Sequence, residues 1–355
     1  MHAAQPLPGA SVWIAPYAGE EEEWNTFVQR SPAGTFFHLA GWKDVLEGAF
    51  GYQSRYLVAR RGREIVGVLP LCVLSQPFGG TCLLSLPFAV EAGICADDVE
   101  ARQALETAAI DLGRECGAAY IELRDGFENS NFVRQESPYH RFRRRLAVSD
   151  EENMALVPRK QRRMIRVGQR SGLSARVDGG DIEAFHDLYA RSVRRLGTPV
   201  FASSYFRLLS ERFTDSCVLL TVRHGDTPAA AVLSFVYKDV VMPYYAGSRH
   251  ELRHCAVNDF LYWELMRYAV RRGIGWFDFG RSKEGSGAYD YKRHWGFAAE
   301  PLRYRVHLDG RQHALRRSLH DAPVRLMRSV WSRLPLPLTK LVGPPIVQRF
   351  GPYYT

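Results

Sequence analysis

The chain repeats itself, and the repeat limits what it can fold into. YLVARRGREIVGVLPLCVL (56–74) reads as a strand, a turn at Arg61 and Gly62, and a second strand. CVLLTVRHGDTPAAAVLSFVY (217–237) has the same two aliphatic, β-branched runs around His224, Gly225 and Asp226. Further along, ALETAAIDLGRECGAAYIELRD (104–125) shows helical periodicity, a stop at Gly117 and an alternating strand from Tyr120 to Arg124. LYWELMRYAVRRGIGWFDFGRS (261–282) matches it, with Gly273 at the stop and a strand from Trp276 to Phe279. Gly62 and Gly225 are 163 residues apart and Gly117 and Gly273 are 156 apart, so the order is kept with only a small insertion. A duplicated α/β unit follows. With 355 residues, 46% of them hydrophobic, the chain can bury two cores.

Each copy reads as helices, an antiparallel meander, a helix and another strand. That order is similar to an acetyltransferase-like (GNAT) domain, so the expected class is α/β (α+β), with tandem duplicated GNAT-like domains, each a mixed sheet flanked by helices. The domains are expected at 1–150 and 151–309, followed by a basic amphipathic tail at 310–355. Between the copies, FRRRL (142–146) and VPRKQRRMIRVGQRSGL (157–173) form a basic linker. Pro158 suits the first turn of a helix there and Gly172 its end. From Arg159 to Arg170 there are six basic residues and no acidic one. This helix is either a solvated face or a contact, through Lys160, Arg162 and Arg163, to phosphates or an RNA backbone. In the tail, Leu315, Leu319, Leu326, Val330 and Trp331 share a helical face, with Arg316, Arg317, Arg325, Arg328 and Arg333 nearby. Such a face either docks on the body or lies on an anionic membrane surface. Glu20 to Glu23 read as an acidic first helical turn.

Several chemistries are excluded by motif. There is no G-x-S-x-G elbow, no P-loop and no G-x-G-x-x-G after a strand. The eleven histidines lack metal-ligand spacing, and the six cysteines contain no C-x-x-C, so no metal is expected and the thiols are read as reduced. Lys and Arg exceed Asp and Glu by 47 to 38, and the net charge of +9 favours an anionic partner. No apolar run is long enough to span a bilayer and no leader pattern opens the chain, so the expectation is a cytoplasmic, monomeric protein, peripheral to the inner membrane if the tail binds lipid. In the second copy AGSRHELRHCAVNDFLYWEL (246–265) also lacks the short glycine turn by which ordinary acetyl-CoA enzymes hold pyrophosphate.

The most specific stretch is DFGRSKEGSGAYDYKRHWGF (278–297). It resembles the signature of FemAB-type transferases, in particular the branch found with exosortase (PEP-CTERM, XrtA) and exopolysaccharide systems. HLAGWKDVLEGAFGY (38–52), IVGVLPLCVL (65–74), RRLGTPVF (194–201), PYYAGSRHE (243–251), VNDFLYWELMRYAVRRG (257–273) and WSRLPLPLTKLVGP (331–344) agree in content and order.

The resemblance implies transfer of an acyl or aminoacyl group to an amine on a cell-envelope or exopolysaccharide precursor, with no tightly bound cofactor. The donor it implies is aminoacyl-tRNA; the chain lacks the coiled-coil arm often used with tRNA, which leaves an acyl-CoA donor open. It also implies that Lys292, in Tyr289-Asp290-Tyr291-Lys292, contacts the reacting carbonyl. On that basis 276–297 is expected to be a glycine-rich hairpin in which Lys292 is a fixed cation beside an oxyanion and Arg281 and Lys283 hold phosphates. Pairing of Arg281 and Lys292 with Asp278 and Asp290 is the structural alternative. Tyr245 is a candidate substrate contact or a core residue. Asn258 and Asp259 are candidate helix caps, with Asp259 also a candidate general base. The alternatives to a FemAB-like enzyme are an acyl-CoA-dependent N-acetyltransferase and a non-catalytic RNA- or lipid-binding module.

Overall fold

The computed structural model describes residues 11–75, 80–127, 131–177, 181–308 and 323–354, with side chains in the last stretch placed from 328 to 351. The tail positions Leu315, Arg316, Arg317 and Leu319, and the side chains of Arg325 and Leu326, lie outside the described residues. The chain forms two compact units. The first holds the chain up to Glu136 and takes back the segments beginning at Arg303 and Arg349. The second holds Ser137–Leu302 and the segment ending at Gln348. The division therefore falls at 136/137 rather than at the expected 150/151. The cause is that FRRRL, expected as linker, is the end of a strand.

In the first unit β1 (Val12–Pro16), α1 (Glu21–Arg30), α2 (Trp42–Phe50) and the short β2 (Gln53–Ser54) lead into β3 (Leu57–Arg61), β4 (Glu64–Leu69) and β5 (Leu71–Ser75). Then come β6 (Thr81–Ser85), β7 (Cys95–Ala96), α3 (Val99–Glu115) and β8 (Ala118–Leu123). One sheet runs β1-β3-β4-β7, and β8, β6, β5 and β2 are neighbours in a second. The acidic first turn of α1 is Glu21, Glu22 and Glu23, and the preceding Glu20 joins Glu23 in pairing with Arg60. Asp98 caps α3 by accepting from the Ala101 amide at 2.9 Å. The core gathers Leu105, Ala109 and Ile110 of α3 over Leu57, Ala59, Leu69, Leu83 and Ile121. Beside it Arg305 is fully buried, paired with Glu106 and Asp125.

The second unit contains β9 (Val133–Arg145) from Ser137 on, α4 (Asp150–Leu156), α5 (Arg159–Arg170), β10 (Leu173–Val177), α6 (Ile182–Arg195) and α7 (Ser203–Arg212). β11 (Cys217–His224), β12 (Thr227–Tyr237), β13 (Val240–Ser248), α8 (Val257–Arg271), β14 (Trp276–Lys283) and α9 (Gly287–His294) follow. β15 (Glu300–Leu308), α10 (Pro323–Arg333) and α11 (Leu336–Tyr354) close the chain. The strand order here is β10-β11-β12-β13-β14-β9. α8 and α5 cover one face: Ile165, Phe260, Leu261, Leu265 and Met266 pack on Leu220, Val222, Ala230 and Val232. Gly168 permits that contact, because a Cβ there would sit 2.7 Å from Phe260 Cβ. α6 lies on the opposite face, so close to β13 that a Cβ on Gly247 would strike the backbone of Leu188 and Tyr189.

The two copies share the pattern read from the sequence. Gly62 (φ +61°) and Gly225 (φ +56°) turn the paired hairpins, and Gly117 (φ +60°) and Gly273 (φ +69°) end the paired helices. They differ where β6 and β13 meet the parallel strand that follows the helix. In the first unit β6 pairs with β8 from Thr81↔Ala118 to Leu84↔Glu122. In the second, β13 pairs with β14 only at Val240↔Trp276 and Val241↔Phe277, after which the strands diverge.

The tail is docked on its own unit. Arg194 donates to the Leu334 carbonyl at 2.8 Å, Lys340 pairs with Asp187, and a Cβ on Gly343 would sit 2.7 Å from Val200. Val330, Leu338, Leu341 and Val342 remain exposed on it. Among the described residues no helix is long and apolar enough to cross a membrane, and no group of side chains could hold a metal ion.

Candidate active site

In the second unit β13 and β14 pair only at Val240↔Trp276 and Val241↔Phe277, and the expected site residues lie unevenly around the rest of β14. The stretch 276–297 is not a hairpin. β14 ends at Lys283, Gly285 (φ +71°) turns the chain, and Ser286 caps a new helix by accepting from the Tyr289 amide at 3.2 Å. Gly287 is simply the first helical residue. The serine that starts α9 outweighs the glycines, because it satisfies an amide the helix would otherwise leave open.

Lys292 lies in the last turn of α9 and reaches back to β14. Its Nζ donates to the Phe279 carbonyl at 2.6 Å and the Arg281 carbonyl at 3.1 Å, and stands 5.5 Å above the Phe142 ring. These carbonyls are available because β14 bulges against β9 between Asp278 and Arg281. Burial lowers the Lys292 pKa to about 7, with Asp278 pulling it up and Arg281 pushing it further down. The cation expected to be fixed beside the oxyanion is thus held in place by two carbonyls, in a setting that lowers its pKa.

Strand parity places the other candidates. His140 and Phe142 contact Tyr289 edge-on, so the even-numbered residues of β9 face α9. Arg281 pairs across the ladder with Arg141 and stacks 4.8 Å from the Tyr139 ring, on the opposite face from Phe142. Asp278 pairs with Arg141 at 2.6 Å, and its other oxygen accepts from the Gly280 amide. Asp278, named as an alternative partner for Arg281, is thus paired with Arg141. Lys283 is exposed at the strand end.

Asp259 is not a helix cap. α8 starts at Val257 after Ala256, which adopts a left-handed conformation at φ +51°, and no side chain caps it. Asp259 points inward, where Gln161 of α5 and Tyr291 of α9 both donate to it, the latter at 2.9 Å. Burial holds its pKa above the ordinary carboxylate value despite those hydrogen bonds. It ties three helices together, while Asn258 beside it is exposed. Tyr245 belongs to the α6/α7 side of the sheet. Its hydroxyl is 2.7 Å from that of Tyr205, and its ring packs against Tyr189, Phe201 and Phe206. A core role accounts for it, on the face opposite to Lys292.

The basic helix forms as expected. Gln161, Ile165 and Gly168 are its buried stripe, and Arg159, Lys160, Arg163, Arg166 and Arg170 are exposed, with Arg162 half-buried. None of these six cations has an ion-pair partner among the described residues, unlike Arg60, Arg61, Arg141, Arg267 and Arg305 elsewhere.

Residues 157–293 match the family model of an acetyltransferase (GNAT) domain. No curated protein matches the sequence. Among solved structures, FemX is similar with a TM-score of 0.65 at 15% identity, over 82% of this chain and 96% of its own. A tandem GNAT protein from the clavulanic acid biosynthesis pathway gives 0.53 at 15% identity, over 85% of this chain and 100% of its own. L-PGS from Bacillus licheniformis gives 0.55 at 12% identity, over 92% and 99%. At these identities the likeness is one of fold, and it makes the architecture a pair of tandem GNAT-like domains. The matched domain makes the chain an acyltransferase.

Proposed function

We propose that the second unit transfers an acyl or aminoacyl group to an amine on a cell-envelope or exopolysaccharide precursor, as a FemAB-like enzyme of the kind found with exosortase (PEP-CTERM) systems. The observation that carries the acyl-transfer reading is the Lys292 ammonium, oriented by two backbone carbonyls beside a strand pair that has come apart. The family detail rests on the DFGRSKEGSGAYDYKRHWGF stretch and the ordered blocks that accompany it.

The chemistry is simple to balance. The acceptor amine attacks the donor's carbonyl carbon, a C–N bond forms and the carbonyl oxygen becomes an oxyanion. Collapse breaks the C–O or C–S bond of the ester or thioester, and the leaving group takes the proton that the amine loses. The Phe279 and Arg281 carbonyls take two of the three ammonium N–H groups of Lys292, and the third would serve the oxyanion, a contact worth about 3–4 kcal/mol of barrier where such donors have been removed. Asp259 keeps α9 in place through Tyr291 rather than acting on substrate.

The donor is an acyl-CoA or an aminoacyl-tRNA, neither held as a resident cofactor. The missing glycine turn before α8 weakens the acyl-CoA alternative. The unpaired cations of α5 support a phosphate-bearing substrate, and the exposed leucines of α11 support peripheral contact with the inner membrane surface. The deciding experiment offers the purified protein acyl-CoA or aminoacyl-tRNA donors together with amine-bearing precursors from the envelope. A donor-dependent mass increase on an amine is expected. No transfer from either donor class contradicts the reading.

A further inference from the structure

Arg144 is a half-buried arginine with two buried side-chain nitrogens and no carboxylate partner among the described residues. It sits on the even-numbered face of β9 with His140, Phe142 and Leu146, opposite Phe277 of β14. Its guanidinium stacks 4.5 Å over the Phe297 ring. Its Nε and Nη2 are both buried and have no hydrogen-bond acceptor among the described residues. Burial alone acts on its pKa, which falls, and no carboxylate opposes that fall. Three other arginines withdrawn from solvent are answered by carboxylates, Arg305 by Glu106 and Asp125, Arg124 by Glu122 and Arg141 by Asp278, while half-buried Arg194 leaves its Nε unpartnered but donates to the Leu334 carbonyl. A buried charge left uncompensated costs several kcal/mol, so a fold that keeps one normally has a counter-ion for it.

The identity of the two open donors is informative. Nε–H and Nη2–H are the parallel pair on one edge of the guanidinium, the edge that takes two oxygens of one oxyanion side by side. The surroundings are positive as well. Lys292 lies over Phe142, two residues along the same strand face, a separation of roughly 7 Å, and its own acceptors are neutral carbonyls. Phe297, on which Arg144 stacks, follows Gly296, where a Cβ would sit 3.1 Å from Pro158. Pro158 immediately precedes α5, a twelve-residue helix whose first residues, Arg159 and Lys160, are exposed cations.

We propose that Arg144 is the side-on anchor of an anion subsite that takes a phosphoryl group of the substrate, with the start of α5 as its second wall. The subsite rests on the acyl-transfer reading only for whose phosphate it holds. Phosphate is preferred over carboxylate because Arg144 on β9, Lys292 over the neighbouring Phe142 and the exposed cations that open α5 together carry more positive charge than a single carboxylate would answer.

The test reads binding without turnover. Thermal unfolding of the full chain is followed with inorganic pyrophosphate, orthophosphate or acetate at constant ionic strength, for the wild type, Arg144→Met, Arg144→Lys and Arg143→Met. Arg143 lies on the other strand face, paired with Glu300, and serves as the control. Pyrophosphate is expected to raise the wild-type Tm more than orthophosphate does, with acetate doing little. Arg144→Met should lose that shift while melting no lower than the wild type without ligand, because an unanswered charge has been removed. Arg144→Lys keeps the charge without the fork and should lose most of the shift, which keeps the test open if the methionine variant does not fold. Arg143→Met should keep it. A wild-type shift that survives in both Arg144 variants, an equal loss in Arg143→Met, or no wild-type shift would each overturn the subsite. An Arg144-dependent shift in a protein that transfers no acyl group would leave the subsite standing and overturn the enzymatic reading instead.

Discussion

Lys292→Met should tilt the pH dependence of stability by one proton. In the folded protein the Lys292 pKa is about 7, against 10.5 for an ordinary lysine. Between those values the unfolded chain holds a proton that the folded chain has released, so wild-type stability rises with pH across that window. The slope for one proton is about 1.4 kcal/mol per pH unit, and integration from pH 7 to 10.5 gives about 4 kcal/mol. Methionine removes this term and also strips a donor from the Phe279 and Arg281 carbonyls, at about 1–3 kcal/mol where the acceptor is left buried. The second cost does not depend on pH. The variant should therefore match or exceed the wild type near pH 7 and fall progressively behind it toward pH 10. Urea unfolding at intervals of half a pH unit measures the difference directly, and the tyrosines and cysteines that titrate in this range cancel between the two proteins. Curves that stay parallel would show that Lys292 titrates normally and that burial does not govern it.

The basic face of α5 makes a second prediction: Arg162→Gln with Arg163→Gln should raise KM several-fold and flatten its salt dependence, with kcat little changed, measured across a salt series. For the tail, Leu341→Glu should release the protein from anionic vesicles without altering its Tm, because Leu341 is 74% exposed whereas Val347 and Thr339 anchor the helix; equal sedimentation with vesicles would remove the membrane contact.

What the sequence made legible was what glycine spacing and periodicity encode locally. Gly62 and Gly225, and Gly117 and Gly273, hold positive φ in equivalent turns, so the duplication was written in residues that few others can replace. The α5 boundaries were readable from Pro158 and Gly172 for the same local reason. Errors arose where a distant partner decides the outcome. Asp259 reads as a cap until Gln161, ninety-eight positions away, is seen to donate to it. Tyr245 reads as either a substrate contact or a core residue until Tyr205 and the α6/α7 rings are seen to enclose it. The lowered pKa of Lys292 was not legible, because burial has no sequence signature. The parting of β13 and β14 is a matter of register between strands and leaves no local mark either. Arg144 is different, for its signal was present: in Phe-Arg-Arg-Arg-Leu, read as a strand, Phe142 and Leu146 place the middle arginine on the core face. Reading those residues as a linker concealed it.

The central claim is that the protonated Lys292 ammonium stabilises the oxyanion of acyl transfer, and the pH profile of kcat/KM tests it most directly. Labelled donor and amine acceptor are followed between pH 5.5 and 9.5 for the wild type, Lys292→Met and Lys292→Arg. The wild type should lose activity as pH rises through about 7, the value at which the free protein's Lys292 gives up its proton. Lys292→Met should be slower by about a hundredfold in kcat and should lack that descending limb. Lys292→Arg should be impaired, since a broad guanidinium does not replace a compact ammonium, yet it should stay flat through pH 7 because it keeps its charge. A folded Lys292→Met protein with near-normal turnover and an unchanged pH profile would contradict the account.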